Sequence, residues 1–158
     1  MTCNLVIRDL AEDDIQTVTD IEKQLTPSPW SYKNFSDCLV AGYPAWVLCE
    51  NSLIIGYTVV QKIVDELHLL NIGIEATFQG RGYGSKLLDH VMNFAEEESC
   101  KTILLEVRAS NQRAQNLYAR NGFNEMSLRR DYYPAEQGRE DAVLMAKELD
   151  LFAFFNQH

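Results

Sequence analysis

Basic charge, paired cysteines, histidines and long apolar runs are all scarce in this sequence, and each scarcity removes a class of function. Lysine and arginine total 14 against 23 aspartates and glutamates, a formal net charge of −9. An acidic surface repels a nucleic-acid backbone, so direct binding of nucleic acid is not expected. It either favours basic partners, such as a cationic peptide or a polyamine, or serves solubility alone. The cysteines Cys3, Cys38, Cys49 and Cys100 form no Cys-x-x-Cys pair, which argues against zinc and offers no disulfide framework. Cys38, Cys49 and Cys100 lie among apolar neighbours and read as small buried thiols in a reducing cytoplasm. His90 and His158 show no ligand spacing, so no metal site is expected. Residues Met1 to Asp9 lack a basic segment followed by a long apolar stretch, which speaks against a secretory signal. No apolar run approaches the roughly 20 residues that span a bilayer, so no membrane partner is expected.

What remains is the composition of a folded domain, with 46% hydrophobic and 23% charged residues in a chain of 158. Residues 1–150 read as one domain and 151–158 as an apolar tail, which either docks on the domain or meets another subunit. A monomer or weak dimer follows. Asn4–Arg8 reads as a first strand; Ile15, Val18, Ile21 and Leu25 recur at helical spacing up to Pro27 and Pro29. Ser31 can cap a second helix bearing Phe35 and Leu39. Ala45–Glu50 and Leu53–Val64 suggest a hairpin around Asn51-Ser52, followed by a strand over Asp65–Ile74. From Gly82 the period becomes helical, with Leu87, Leu88, Val91 and Ala95 on one face. Lys101–Val107 reads as a buried strand, and Ser110 can cap a helix that Gly122 stops. Phe123–Tyr133 and Asp141–Leu149 then close the chain as strands. The order predicts a mixed α/β fold around one sheet.

The most informative local feature is a glycine turn between a strand and an amphipathic helix, Gln79-Gly80-Arg81-Gly82-Tyr83-Gly84. Glycines let successive N–H groups converge, and the helix dipole behind them suits a pyrophosphate. Arg81 can add a charge-assisted bond. Walker A is excluded because Lys86 is displaced and followed by Leu87. The dinucleotide fingerprint fails because Ser85 holds its third glycine position. On its own the turn is equally a tight connection without a ligand.

Gln79-x-x-Gly82-x-Gly84 resembles the Gln/Arg-x-x-Gly-x-Gly/Ala motif of the GNAT acetyltransferase superfamily. Leu105-Glu106-Val107-Arg108-Ala109-Ser110-Asn111 and Leu117-Tyr118-Ala119-Arg120-Asn121-Gly122-Phe123 resemble its closing motif. Arg129 to Pro134, then Gly138 to Ala142, is similar to the branch that acetylates N-terminal alanines of bacterial ribosomal proteins. The resemblance runs from about Asn4 to Leu149. It implies the GNAT fold, one central, mostly antiparallel twisted sheet with helices on both faces. It also implies acetyl-CoA as cosubstrate and a basic ribosomal-protein N-terminal tail as partner.

The implied site can be placed residue by residue. Gly80, Arg81, Gly82, Tyr83, Gly84 and Ser85 would hold the pyrophosphate, and Ile72, Gly73 and Ile74 would pair with the pantetheine arm like an added strand. Acetyl transfer to an amine needs a base, a stabilised oxyanion and a proton for the departing thiolate. Glu106 interrupts the apolar strand Ile103-Leu104-Leu105 and faces opposite to Leu105 and Val107. It is either functional or paired with Arg108, two residues on along the same face; the resemblance assigns it as proton acceptor. The family also assigns Tyr118 as general acid, where helical spacing alone allows a core tyrosine. Asn111 resembles a CoA-contacting asparagine and is equally a helix cap. Glu66 and His68 are reserve bases, since many relatives carry the base on that strand. Tyr132, Tyr133, Glu140 and Asp141 resemble the segment lining the peptide entrance, where acidic groups can hold a basic tail; a solvated turn is the other reading. Lysine and polyamine acceptors, or a non-catalytic acyl-CoA-binding module, remain alternatives.

Overall fold

A computed structural model describes residues 4–150. Seven strands and four α-helices follow in the order β1 (Leu5–Asp9), α1 (Ile15–Leu25), α2 (Tyr32–Val40), β2 (Ala45–Glu50), β3 (Leu53–Ile63), β4 (Glu66–Ile74), α3 (Tyr83–Glu97), β5 (Thr102–Arg108), α4 (Gln112–Arg120), β6 (Asn124–Pro134) and β7 (Arg139–Glu148). The strand order is β1-β2-β3-β4-β5-β7-β6. Pairings β1–β2, β2–β3, β5–β7 and β6–β7 are antiparallel, and β4–β5 is parallel. That parallel pair has α3 as its crossover, which a hairpin cannot supply. The mixed, mostly antiparallel sheet matches the expected fold class. The tail 151–158 lies outside the described residues.

The described residues divide into two compact units, one of residues 4–61 and 70–87, the other of 62–69 and 88–150. In the first, Asn51 and Ser52 adopt φ of 51° and 72°, the left-handed pair that suits a tight two-residue hairpin. The apolar stripe of α1, Ile15, Val18 and Ile21, packs with Phe35, Val47, Tyr57 and Val59. Ser31 caps α2 as expected, accepting the Asn34 N–H at 3.2 Å while Asn34 Oδ1 accepts the Ser31 N–H at 2.8 Å. A second cluster joins Leu48, Ile55, Ile74, Tyr83 and Leu87 behind the glycine turn.

In the second unit β5 alternates strictly, with Ile103, Leu105 and Val107 buried and Leu104, Glu106 and Arg108 on the other face. Ser110 was expected to cap α4. The cap is Asn111 instead, whose side-chain oxygen accepts the Ala114 N–H at 3.1 Å. The helix stops at Gly122, φ 92°. Strand β6 is irregular. Arg129 pairs with Ala142 and Tyr133 with Glu140, so three β6 residues oppose the single residue Asp141. Asp131 takes φ 54° within that bulge and donates its N–H to Asp141 Oδ1 at 3.0 Å.

Candidate active site

The glycine turn is built as its sequence requires. Gly80 and Gly82 sit at φ 81° and 84°, the left-handed region that side chains resist. At Gly82 an added Cβ would meet nothing within 4 Å, so the backbone conformation itself calls for glycine. Gln79 donates from Nε2 to the Ile74 carbonyl at 2.9 Å, tying the turn to the end of β4. Helix α3 begins at Tyr83, presenting its positive end at the turn. The Tyr83 ring is buried and its hydroxyl donates to Glu50 at 3.4 Å. Arg81 lies back against its own segment, with Nη2 3.4 Å from the Thr77 carbonyl and the guanidinium 5.1 Å from the Phe78 ring centre.

Strand β4 reaches this turn through Asn71 to Ile74, and a buried polar network holds it. Glu22 on α1 is only 5% exposed. Its carboxylate accepts the Tyr57 hydroxyl at 2.7 Å, the Trp30 N–H at 3.0 Å and the Asn71 side-chain amide at 3.1 Å. Burial, with Glu22 beside it, pushes the Tyr57 phenol far above its ordinary range. Gly73 has no room for a side chain: a Cβ there would lie 2.6 Å from Tyr57 Cζ and 2.9 Å from Leu25 Cδ1. Glu22 carries a signal in the sequence that marks it as buried. It falls on the apolar stripe of α1, four residues after Val18 and three before Leu25.

The second unit carries the remaining candidates. Strand alternation suggests Arg108 as the partner of Glu106. Arg108 donates to Glu140 at 2.6 Å and to the Pro134 carbonyl at 2.8 Å, and stacks 4.6 Å above the Tyr133 ring. The Glu106 carboxylate accepts a 2.8 Å bond from Arg129 Nη1, which reaches diagonally across β7 above Ala142. The Arg129 guanidinium lies 4.8 Å above the Tyr132 ring, and a hydrogen bond with Glu106 raises the Tyr132 phenol. Burial, then the Glu106 charge, push the Tyr133 phenol up to about 12. Tyr132 and Tyr133 meet edge to face at 4.9 Å. Consecutive residues of a regular strand point apart, so the bulge makes this contact possible.

Tyr118 is buried and tilted against Phe123 at 5.9 Å, and burial raises its phenol well above the ordinary range. It stays protonated at neutral pH, as an ordinary phenol does, and burial makes it the weaker acid of the two. The acidic pair expected to face a basic tail is engaged internally. Glu140 holds Arg108 and the Ser110 N–H, which keep its carboxyl below the usual range, while Asp141 accepts the Asp131 N–H. The reserve bases Glu66 and His68 contact each other at 3.0 Å. Among the described residues no three His, Cys, Asp or Glu side chains are placed to hold a metal ion, and no helix is long and apolar enough to cross a membrane.

Comparison with known proteins gives this arrangement a context. Residues 9–123 match the acetyltransferase (GNAT) family. The chain is 37% identical over 145 residues to the [ribosomal protein bS18]-alanine N-acetyltransferase of Escherichia coli K12, covering 92% of this chain and 98% of the relative. It is 39% identical to the protein of that name in Haemophilus influenzae, covering 89% and 97%. The crystal structure of the ribosomal-protein-S18-alanine N-acetyltransferase from Escherichia coli superposes with a TM-score of 0.87 at 36% identity, over 93% of this chain and 95% of that one. The glycine turn, the glutamate-bearing strand and these near-full-length matches agree, and the chain belongs to the GNAT acetyltransferase family.

Proposed function

We propose that this protein transfers the acetyl group of acetyl-CoA to the N-terminal alanine α-amine of ribosomal protein bS18. The observation that carries the reading is the 37% identity over 92% of the chain to an enzyme of that name. The acceptor chemistry is consistent with it. An α-amine of pKa about 7.8 is about 14% neutral at pH 7, while a lysine near 10.4 is about 0.04% neutral, a difference of about 3.5 kcal/mol. An N-terminal acceptor therefore demands less of the base.

In this reading the domain of residues 1–150 binds acetyl-CoA as cosubstrate. Gly80 to Ser85 hold the pyrophosphate on backbone N–H groups and the α3 dipole, and Ile72 to Ile74 pair with the pantetheine arm. Arg81 would swing from Phe78 to reach a phosphate. Glu106 accepts the ammonium proton, directly or through water, and the neutral amine attacks the thioester carbonyl. Collapse of the tetrahedral adduct expels the CoA thiolate, to which Tyr118 gives its proton; the second proton of the attacking nitrogen restores the Tyr118 phenol through water, and Glu106 returns the first to solvent. Asn111 contacts CoA through the amide group that its capping oxygen leaves available. The protein acts as a monomer or weak dimer in the cytoplasm, without nucleic acid or membrane.

Incubating the purified protein with acetyl-CoA and an alanine-initiated basic peptide should add one acetyl group at the α-amine, read by mass. No added mass would remove the substrate assignment. Labelling of a lysine side chain in the same panel would favour the alternative acceptor.

A further inference from the structure

The hairpin of β6 and β7 holds two arginine–glutamate pairs of opposite character. Arg108 and Glu140 have side chains only 11% and 20% exposed, at 2.6 Å. Arg108 has a carbonyl and an aromatic ring as further partners, so this pair fastens the hairpin turn to β5. Arg129 and Glu106 are 54% and 27% exposed, at 2.8 Å. Arg129 rests on the ring of Tyr132, itself 41% exposed, next to the bulge at Arg130 to Tyr132. A pair so open to water is held weakly.

The acceptor of this family's reaction arrives chiefly as an ammonium, and Glu106 already carries a cation where that ammonium has to be deprotonated. We propose that Arg129 is a built-in competitor of the acceptor amine: its guanidinium occupies the Glu106 carboxylate in the free enzyme and is displaced when the substrate N-terminus binds. The inference rests on the reading of Glu106 as the base. Arg129 thereby imposes the same opening penalty on every amine that reaches Glu106. Its long side chain can withdraw along the Tyr132 ring without disturbing the Arg108–Glu140 fastening. An exposed pair of this kind favours closed over open by about 1.4- to 5-fold. The peptide KM accordingly carries a factor of about 2 to 6 from Arg129.

Steady-state kinetics with an alanine-initiated basic peptide test this. R129Q should lower the peptide KM about two- to sixfold and leave the acetyl-CoA KM where it was. R129K, which keeps a cation, should retain the wild-type peptide KM within about twofold. In an E106Q background, calorimetric peptide affinity should be the same with Arg or Gln at 129, since no carboxylate remains to compete for. A raised or unchanged peptide KM in R129Q, with E106Q inactive, would overturn the displacement and leave the assignment of Glu106 standing. Full turnover by E106Q would instead remove the base on which the inference rests.

Discussion

Gly73→Ala adds one methyl group where the β4 segment proposed for pantetheine meets the buried Glu22 network. The new Cβ would sit 2.6 Å from Tyr57 Cζ and closer still to its hydroxyl oxygen, against about 3.5–4.0 Å for a comfortable contact. The Tyr57 ring is fully buried and packs edge-on to Phe35 at 5.7 Å, and its hydroxyl bonds Glu22 at 2.7 Å. Relief requires moving the ring, and with it the hydroxyl, off the carboxylate. Overpacking costs about 1–3 kcal/mol, and a buried acceptor deprived of its donor about 1–3 kcal/mol more. The expected loss is therefore about 2–6 kcal/mol. Urea unfolding followed by tryptophan fluorescence is a suitable assay, because Trp30 bonds the same glutamate through its backbone N–H and packs its ring on Phe35. Gly82→Ala provides the contrast: its Cβ meets nothing within 4 Å, and only the φ of 84° opposes it, a penalty of about 1–2 kcal/mol. Adding Tyr57→Phe to Gly73→Ala should return only part of the stability, since the Cζ contact stays. A Gly73→Ala protein within about 0.5 kcal/mol of wild type would refute the packing argument.

The same structure sets the outcome of other substitutions. Glu106→Gln should lower turnover about 10²- to 10⁴-fold while calorimetry finds CoA affinity nearly intact, and Tyr118→Phe should behave likewise; two variants with full turnover would defeat both assignments. Because Glu106 meets Arg129 in an exposed pair, Glu106→Gln should change stability by no more than about 1 kcal/mol, which keeps that result interpretable. Glu140 has a folded pKa depressed chiefly by its bond to Arg108, so its contribution is present above the unfolded value near 4.3 and disappears as pH falls through the lower folded value. Glu140→Gln should flatten that acid limb in a series of denaturation curves, and an unchanged limb would contradict the pairing. Glu22→Gln keeps the shape but replaces an acceptor by an amide facing three donors, so it should destabilise by about 1–3 kcal/mol; thermal melts within experimental scatter of wild type would argue against the network.

The elements were legible because their periods are clean. Helix α1 shows its stripe at Ile15, Val18 and Ile21, and β5 alternates so regularly that Glu106 could be placed on the face opposite Leu105 and Val107. The glycine turn was legible through its spacing, and Gly80 and Gly82 within it are both left-handed. The partner of Glu106 was not. Local reasoning offers Arg108, two residues along the same face, and the structure gives that arginine to Glu140, 32 positions later in the chain. Side-chain pairing across a sheet depends on register, and β6 shifts register against β7 between Glu125 and Ser127 and again between Arg129 and Tyr133.

The bulge between Arg129 and Tyr133 changes what the motif Arg129 to Pro134 means. As a regular strand, Tyr132 and Tyr133 would face opposite sides, and only one could stand near Glu106. With three residues opposing Asp141, both phenols feel the Glu106 charge. The same irregularity separates the two arginines by role, since Arg108 stacks on Tyr133 and Arg129 on Tyr132. Deleting Arg130 and Asp131 together would restore one-to-one pairing with β7 between Arg129 and Tyr133 and point the tyrosines apart. If the tyrosine pair is what surrounds the acceptor, that deletion should abolish peptide acetylation while the glycine turn still binds CoA. Retained peptide turnover in a folded deletion variant would mean that the bulge shapes the hairpin for some purpose other than the reaction.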